Sequence, residues 1–477
     1  MENNAIEKEN TETKNAVIEQ PPEQTHLEIK NNTIEIKRNG HKNGKTTSEP
    51  KKFIFISNES LSGDVAWQLK KEGHEVKIFI ESKSDIDVYE GFLDKVENWE
   101  EHIGWADVIV FDDVGFGKKA EELRAQGKLV VGGSIYTDRL EDNREFGQDE
   151  MKRVGMTILP HWDFANFDSA IEFIKNNPSK YVFKPSGTIS SDMKGILFLG
   201  EEDDGKDLVQ ILEQNKKTWA KKIKAFQLQK RALGVEIAVG AFFNGEDFIY
   251  PININFEHKK LFPGDIGPYT GEMGTLMFWS KPNILFKYTL QKMKDELAKS
   301  GYVGYIDINC IVNSKGIYPL EFTSRFGYPT ISIQMEGINM SVGDMLYKLA
   351  NKEKFDIKTK NGFQIGVVVA VPPFPYDDKK EMYVYKDLSI LFRKPTYDGV
   401  RLGDVKLVNG IWSIAGDSGY VIVITGSGST VENARKQTYM RLKNIMLQNM
   451  YYRNDIGLKW FNDSDKLQTW GYLSEAV

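Results

Sequence analysis

The chain has 477 residues, a net charge of −6 from 62 Lys and Arg against 68 Asp and Glu, and one cysteine. This charge argues against general nucleic-acid binding. The single Cys310 excludes a disulfide scaffold or a Cys-based zinc site and fits a reducing, cytoplasmic setting, and the longest apolar run, Ile365 to Val371, is far too short to span a membrane. The start MENNAIEKEN shows no signal-peptide pattern.

In chain order, residues 1–52 contain no Phe, Trp or Tyr, and residues 1–50 carry nine Glu and seven Lys or Arg. Such a segment buries too little to offset its ordering entropy, so residues 1–51 are expected to form a disordered tail. From there short β-rich runs alternate with helices: FIFIS (53–57), a helix VAWQLKKEG ended by Gly73, EVKIFI (75–80), DVIVFDD (107–113), AEELRAQG and KLVVGG (128–133). This alternation predicts a doubly wound parallel sheet over 52–137. The turn SNESLSGD after the first strand lacks the G-x-G-x-x-G of a dinucleotide site.

The next stretch, 138–155, reads as one helix ending at Gly155, followed by a helix over 169–177 and a strand KYVFKPSG (180–187) running into the polar loop TISSDMKG (188–195). Residues 224–258 read as strands in series, joined by hairpin turns such as FNGED (243–247), so the chain is expected to change from α/β to α+β near residue 135.

VGYIDINCIV and IYPLEFT flank the turn NSKG (313–316) and should form a hairpin centred near residue 314. Asp307 lies seven residues before that centre and Glu321 seven after it, so the two carboxylates are expected to face each other, at about 4.5–5.5 Å between Cβ atoms. Opposed like charges need a cation, and Mg²⁺ bridging nucleotide phosphates suits them. Solvent-facing carboxylates paired with Lys or Arg remain the plain alternative. Arg325 just beyond is a candidate phosphate clamp or a surface ion pair. GPYTGEMGT (267–275), with three Gly, a Pro and a Thr, is either a ligand-facing loop or an ordinary turn.

Together these motifs resemble the ATP-grasp ligases, and more narrowly the phosphoribosylamine–glycine ligase (glycinamide ribonucleotide synthetase) family. GPYTGEMGT is similar to that family's Gly-Pro-x-Thr-Gly-x-Met-Gly, PLEFTSRFGYP to its Glu-Phe-x-x-Arg-Phe-Gly-x-Pro, and RNDIG (453–457) to its closing Arg-x-Asp-Ile-Gly. The resemblance implies an N-terminal pre-ATP-grasp domain (52–137), a two-lobed ATP-grasp core (138–345) and a small C-terminal α+β domain (346–477). It implies a purine-biosynthesis type of chemistry: ATP phosphorylates a carboxylate, and an amine displaces the phosphate to form an amide. Its cofactors would be ATP and Mg²⁺ or Mn²⁺, and its partners small-molecule amine and carboxylate substrates, with no nucleic acid or membrane.

The resemblance also implies roles. Lys184, with Arg144 where the family usually has Lys, would reach the phosphates. Lys194 would belong to a lid over them. Gln229, Lys230 and Leu233 would form the adenine hinge, and Glu236 would bind the ribose. Asp307 and Glu321 would hold metal, with Thr323 in the family's Asn position or Asn309 as a lesser ligand. Arg325 and Lys184 would stabilise the transferring phosphoryl group. Gly267, Thr270, Gly271, Met273 and Gly274, with His258 and Lys259, would line the substrate side and offer a charged approach to a carboxylate. Other positions depart from the family. SNESLSGD and FDDVGFG (111–117) replace its substrate loops, and Asp112 and Asp113 there would repel a phosphate but suit a cationic amine. A paralogue joining a different amine is therefore an alternative, as is a degenerate nucleotide-binding protein.

Overall fold

The structure is a computed structural model that describes residues 28–30, 33–35, 49–186, 196–376 and 379–473. Two units separate, residues 1–41 and 42–477. In the first, Glu28–Lys30 and Thr33–Glu35 pair as antiparallel strands where composition predicted none. Residues 1–27, 31–32 and 36–48 of the expected tail, and the expected lid 188–195 with Lys194, lie outside the described residues.

The second unit begins with the predicted parallel sheet. Its strand order is Asp94–Lys95, Glu75–Ile80, Lys52–Ser57, Val108–Phe111, Leu129–Val131. Both faces of the sheet are covered, so its central strands are nearly all apolar. Phe53 and Phe55 pack into one core with Val65 and Leu69, while Ile54, Ile56, Ile109 and Phe111 pack into another with Leu123. The helix Gly63–Glu72 stops at Gly73, whose φ of 98° is the left-handed conformation that suits glycine. The first strand is central and its neighbours leave on opposite sides, so the strand order reverses at the carboxyl ends of strands 52–57 and 108–111, where Ser57, Ser60, Ser62 and Asp112 are buried.

The single helix predicted over 138–155 is instead two, Ile135–Asp142 and Arg144–Arg153. Asn143 between them is extended, and its side chain caps the second helix by accepting from the Phe146 N–H at 3.0 Å. A four-stranded antiparallel sheet follows, in the order Phe198–Leu199, Tyr181–Ser186, Ala225–Lys230, His161–Phe164. Helices Phe167–Asn176 and Lys206–Lys222 complete its separate core, in which the Phe167 and Phe226 rings stack at 4.6 Å.

The second lobe is an eight-stranded antiparallel sheet. Its order is Gly316–Thr323, Gly304–Asn313, Val235–Phe243, Phe248–Glu257, Gly274–Ser280, Phe363–Ala370, Tyr420–Gly428, Val400–Leu402. Its last three strands come from the segment beyond residue 346, so the C-terminal part of the chain widens the same sheet. Among the described residues no helix is long and apolar enough to cross a membrane.

Candidate functional site

Side chains alternate across a strand with period two, and the eight-stranded sheet separates its faces accordingly. Gly240 pairs with Asp307 and Asn253, Ala238 with Asn309 and Asn255, and Thr275 with Glu257. Glu236, two residues from Ala238, falls on the same side. This polar face carries the site, while Ile237, Val239, Ile254 and Phe256 point into the core.

The hairpin register corrects one expectation. The outer pairs, such as Asn313 with Gly316, set the turn centre half a residue later than predicted, and Leu320 is a bulged extra residue between the pairs Cys310–Pro319 and Asn309–Glu321. Asp307 therefore faces Thr323, and Glu321 faces Asn309 rather than Asp307. The acids still share one face. Cys310 is buried in the core on the other side.

Lys259 balances the carboxylates. Its Nζ lies 3.1 Å from Glu321, 3.4 Å from Glu236 and 3.5 Å from Glu257. Burial alone would push this lysine down, but the three glutamates hold it well above its ordinary value. Lys259 in turn depresses Glu321 to about 2. At Asp307 compensation loses: burial, with Glu257 beside it, pushes it up to about 8 against the pull of Arg325 and the Tyr305 hydroxyl. Glu272, buried in the GPYTGEMGT loop, is raised well above 4.5 by burial and by Glu257.

Lys184 comes from the other lobe, where it is buried on strand Tyr181–Ser186 and donates to Gln229 Oε1 at 2.7 Å. Burial, with Arg144 next, lowers it to about 7, and Glu321 and Glu236 act on it in the opposite sense. Lys184, Arg144, Lys259, Glu236 and Glu321 therefore meet between the lobes, and Arg144 and Glu321 line one recess with Glu141 and Gln148.

The remaining expected residues divide. Gln229 is buried under Lys184, so its side chain does not face outward as a hinge group. Lys230 and Leu233 are exposed, and the Lys230 N–H is taken by Pro160 O at 2.8 Å. Thr270 ties back to Lys259 O through both its N–H (2.8 Å) and its hydroxyl (2.9 Å). Gly267 and Gly271 are exposed, and Met273 is buried. Gly274 has φ 148°, and a Cβ there would meet Gly366 O at 2.5 Å. His258 does not offer a charged approach: it is fully buried, and burial followed by Lys459 and Arg453 pushes it down to about 3, so it is neutral. Arg325 is a half-buried pairing group, with Nε 3.2 Å from Glu141 and 3.6 Å from Asp113. Asp113 is thus already engaged, and Asp112 is fully buried with an oxygen accepting from the Ser62 N–H at 3.1 Å.

Sequence reasoning missed Glu257, Glu272 and Glu141. Glu257 was visible in the alternation Asn253, Asn255, Glu257, which places three polar groups on one face. Glu141 carried no local signal.

The donor set suits a hard cation. Asp307 Oδ1 and Asn309 Oδ1 are buried oxygens without a hydrogen-bond partner. Among the described residues no three His, Cys, Asp or Glu side chains form a metal cluster. Mg²⁺ takes one or two carboxylates and completes its shell with phosphate and water, so the Asp307 and Asn309 oxygens suit it.

Residues 142–331 match the family described as phosphoribosylglycinamide synthetase, ATP-grasp (A) domain. The phosphoribosylamine–glycine ligase of Clostridium acetobutylicum is 24% identical over 428 residues, covering 85% of this chain and 99% of that protein. Residues 142–331 therefore carry an ATP-grasp domain of this kind, and the chain as a whole is similar to the phosphoribosylamine–glycine ligases. The fold agrees. The crystal structure of the Thermotoga maritima phosphoribosylamine–glycine ligase superposes with a TM-score of 0.63 at 19% identity, over 85% of this chain and all (100%) of that one. The biotin carboxylase domain of the Hydrogenobacter thermophilus 2-oxoglutarate carboxylase, solved with MgADP and bicarbonate, superposes with a TM-score of 0.57 at 14% identity, over 88% of this chain and 98% of that one. The site described above lies on the ATP-grasp segment that the family match covers.

Proposed function

We infer that the chain is an ATP-dependent carboxylate–amine ligase that forms an amide through an acyl phosphate. The observation that carries this is the convergence of Lys184 and Arg144 with Glu321 and the polar sheet face between two lobes. Nothing there forms a nucleophilic triad, and none is needed, because phosphoryl transfer is driven by positioning and charge neutralisation. ATP would extend from the exposed Lys230–Leu233 segment, past Glu236 at the ribose, to Lys184 and Arg144 at the phosphates. Asp307 and Glu321, with Asn309 or Thr323, would hold Mg²⁺. The metal would supply charge neutralisation on the transferring phosphoryl group.

The chain's own residues then do the following. Lys184, freed from Gln229, binds a phosphate oxygen. Lys259 keeps Glu321 ionised and oriented. Arg325, fixed by Glu141 and Asp113, presents its remaining N–H groups to the reacting phosphoryl oxygens. A substrate carboxylate oxygen attacks the γ-phosphorus and ADP leaves. The amine nitrogen then attacks the acyl carbon, the C–O bond to phosphate breaks, phosphate departs with the electron pair, and the amine proton passes to solvent. The relatives' name makes glycine the first carboxylate to test.

The test is release of ADP and phosphate on incubation with ATP, Mg²⁺, glycine and an amine. Release in step with amide formation is expected, and Glu321→Ala should reduce it by about 100-fold. Full activity in that variant would overturn the metal assignment. Tight ATP binding without ADP release for any pair would identify a nucleotide-binding protein instead.

A further inference from the structure

We propose that the junction of the helix Gly63–Glu72, the helix Thr330–Gly337 and the edge strand Val400–Leu402 is a binding site for a tetrahedral oxyanion of the phosphate class, held by Arg401 and Lys71. The site shares no residue with the ATP-grasp centre and does not depend on the ligase reading. Two contacts lay the first helix along the second. Ser332 Oγ donates to Asp64 Oδ2 at 2.9 Å, and Ser341 Oγ, just past the second helix, donates to Glu72 Oε2 at 2.7 Å. Lys71 lies about two turns beyond Asp64, so it shares the helix face of Asp64 and reaches the end of the second helix, where Glu336 sits. The strand joins the same junction, because the Leu402 N–H donates to Asp64 Oδ1 at 3.1 Å.

These three carboxylates are already engaged. Glu336 Oε1 takes Lys360 Nζ at 3.2 Å and Ser427 Oγ at 3.0 Å, and its Oε2 takes Thr425 Oγ1 at 3.1 Å and Arg441 at 3.3 Å. Asp64 holds Ser332 and the Leu402 N–H, and Glu72 holds Ser341 and the Val342 and Gly343 N–H groups. Two cations are left over. Arg401 lies 4.0 Å from Glu336, too far for a hydrogen bond, and its Nε is buried without a partner. Lys71 makes no hydrogen bond or ion pair among the described residues, and its charge and that of Arg401 act against each other. A buried guanidinium donor without an acceptor is costly. An oxyanion between the two would accept from the Arg401 fork, pair with Lys71 and relieve their repulsion. Lys71 is exposed, which leaves the approach from solvent open. The occupant would tie the N-terminal helix and the C-terminal strand to the helix that begins at Thr330, close behind Arg325.

The experiment titrates inorganic phosphate into the full chain at constant ionic strength set with chloride. Mg²⁺ and a non-hydrolysable ATP analogue are present in excess, to cover Lys184 and Arg144. Melting temperature and binding heat are read. Saturable binding with a raised melting temperature is expected. Arg401→Gln and Lys71→Gln should each weaken it by about tenfold. Lys217→Gln, at a lysine of the helix Lys206–Lys222, should leave it unchanged. Because Lys71 is exposed, its variant tests the site even where Arg401→Gln fails to fold. Glycerol 2-phosphate, titrated in parallel, distinguishes the sources. Tighter binding than inorganic phosphate assigns the site to a phosphomonoester, and weaker binding assigns it to free phosphate. No saturable binding of either, or equal affinity in Lys71→Gln and the unaltered chain, overturns the proposal. Such a failure leaves the ligase reading standing, because no catalytic step is read.

Discussion

Lys184 carries the most direct electrostatic consequence at the scale of single residues. Burial, with Arg144 next, lowers its ammonium to about 7. A bound polyphosphate favours the charged form and raises that value, so binding is tightest below pH 7 and takes up a proton above it. ATP affinity should therefore fall as pH rises from 7 to 9. Calorimetry in buffers of different ionisation enthalpy should show net proton uptake at pH 8. Lys184→Met should abolish that uptake and cut turnover by about 100-fold. Lys184, Glu321 and Arg325 were legible in the sequence because the motifs around them are specific. Glu141 was not, because its partnership with Arg325 spans 184 positions of chain. His258 shows a related gap: its polarity suggests exposure, and the Lys459 and Arg453 charges that act on it in its buried position lie about 200 residues away.

At the scale of elements, the hairpin shows how much depends on one residue. The bulge at Leu320 places Glu321 opposite Asn309, on the face that holds Lys259. A one-residue slip in register turns every side chain to the other face. Inserting one residue after Leu320 should therefore cost either the site or the sheet, seen as loss of ADP release or as a lowered melting temperature. Bulges leave little trace in a pattern of residue types, which is why the sequence reading aligned Asp307 with Glu321. The break at Asn143 was more accessible, since Asn is a strong helix N-cap, but the helical pattern on both sides concealed it. Gly274 gives a second test. Its φ of 148° and the 2.5 Å approach of Gly366 O leave no room for a methyl group, so Gly274→Ala should destabilise the protein by roughly 2–4 kcal/mol in a denaturant titration.

For the whole molecule, the strand and helix alternation revealed the N-terminal sheet, because periodicity is a local property, whereas the two lobes were implied by the family resemblance of the motifs. The continuation of the second lobe's sheet into Phe363–Ala370 and Tyr420–Gly428 was not legible, because strand partners more than 80 residues apart are chosen by packing. Arg453 is one device that joins these distant parts. It is fully buried and pairs with Asp455 at 2.7 Å and with Asp265 at 2.8 Å, which fixes the approach to the GPYTGEMGT loop. Arg453→Ala would leave Asp455 without its cation while Asp265 keeps Lys459 at 2.7 Å, and should cost about 3 kcal/mol. Where the N- and C-terminal parts of the chain meet, Asp404 receives a hydrogen bond from Ser60, and burial raises it to about 8; burial likewise raises Asp112 to about 7. Both values lie above the unfolded value of 3.8, so their contribution to stability is full below that value and is lost as pH rises through 7 to 8. The melting temperature should fall by several degrees between pH 6 and pH 9.

The central claim is that this site activates a carboxylate by phosphorylating it. The most direct measurement follows glycine labelled with ¹⁸O in its carboxylate through one turnover with ATP, Mg²⁺ and an accepted amine. An acyl phosphate requires one labelled oxygen to appear in the released phosphate for each amide formed. Unlabelled phosphate, with its new oxygen drawn from water, would contradict the account.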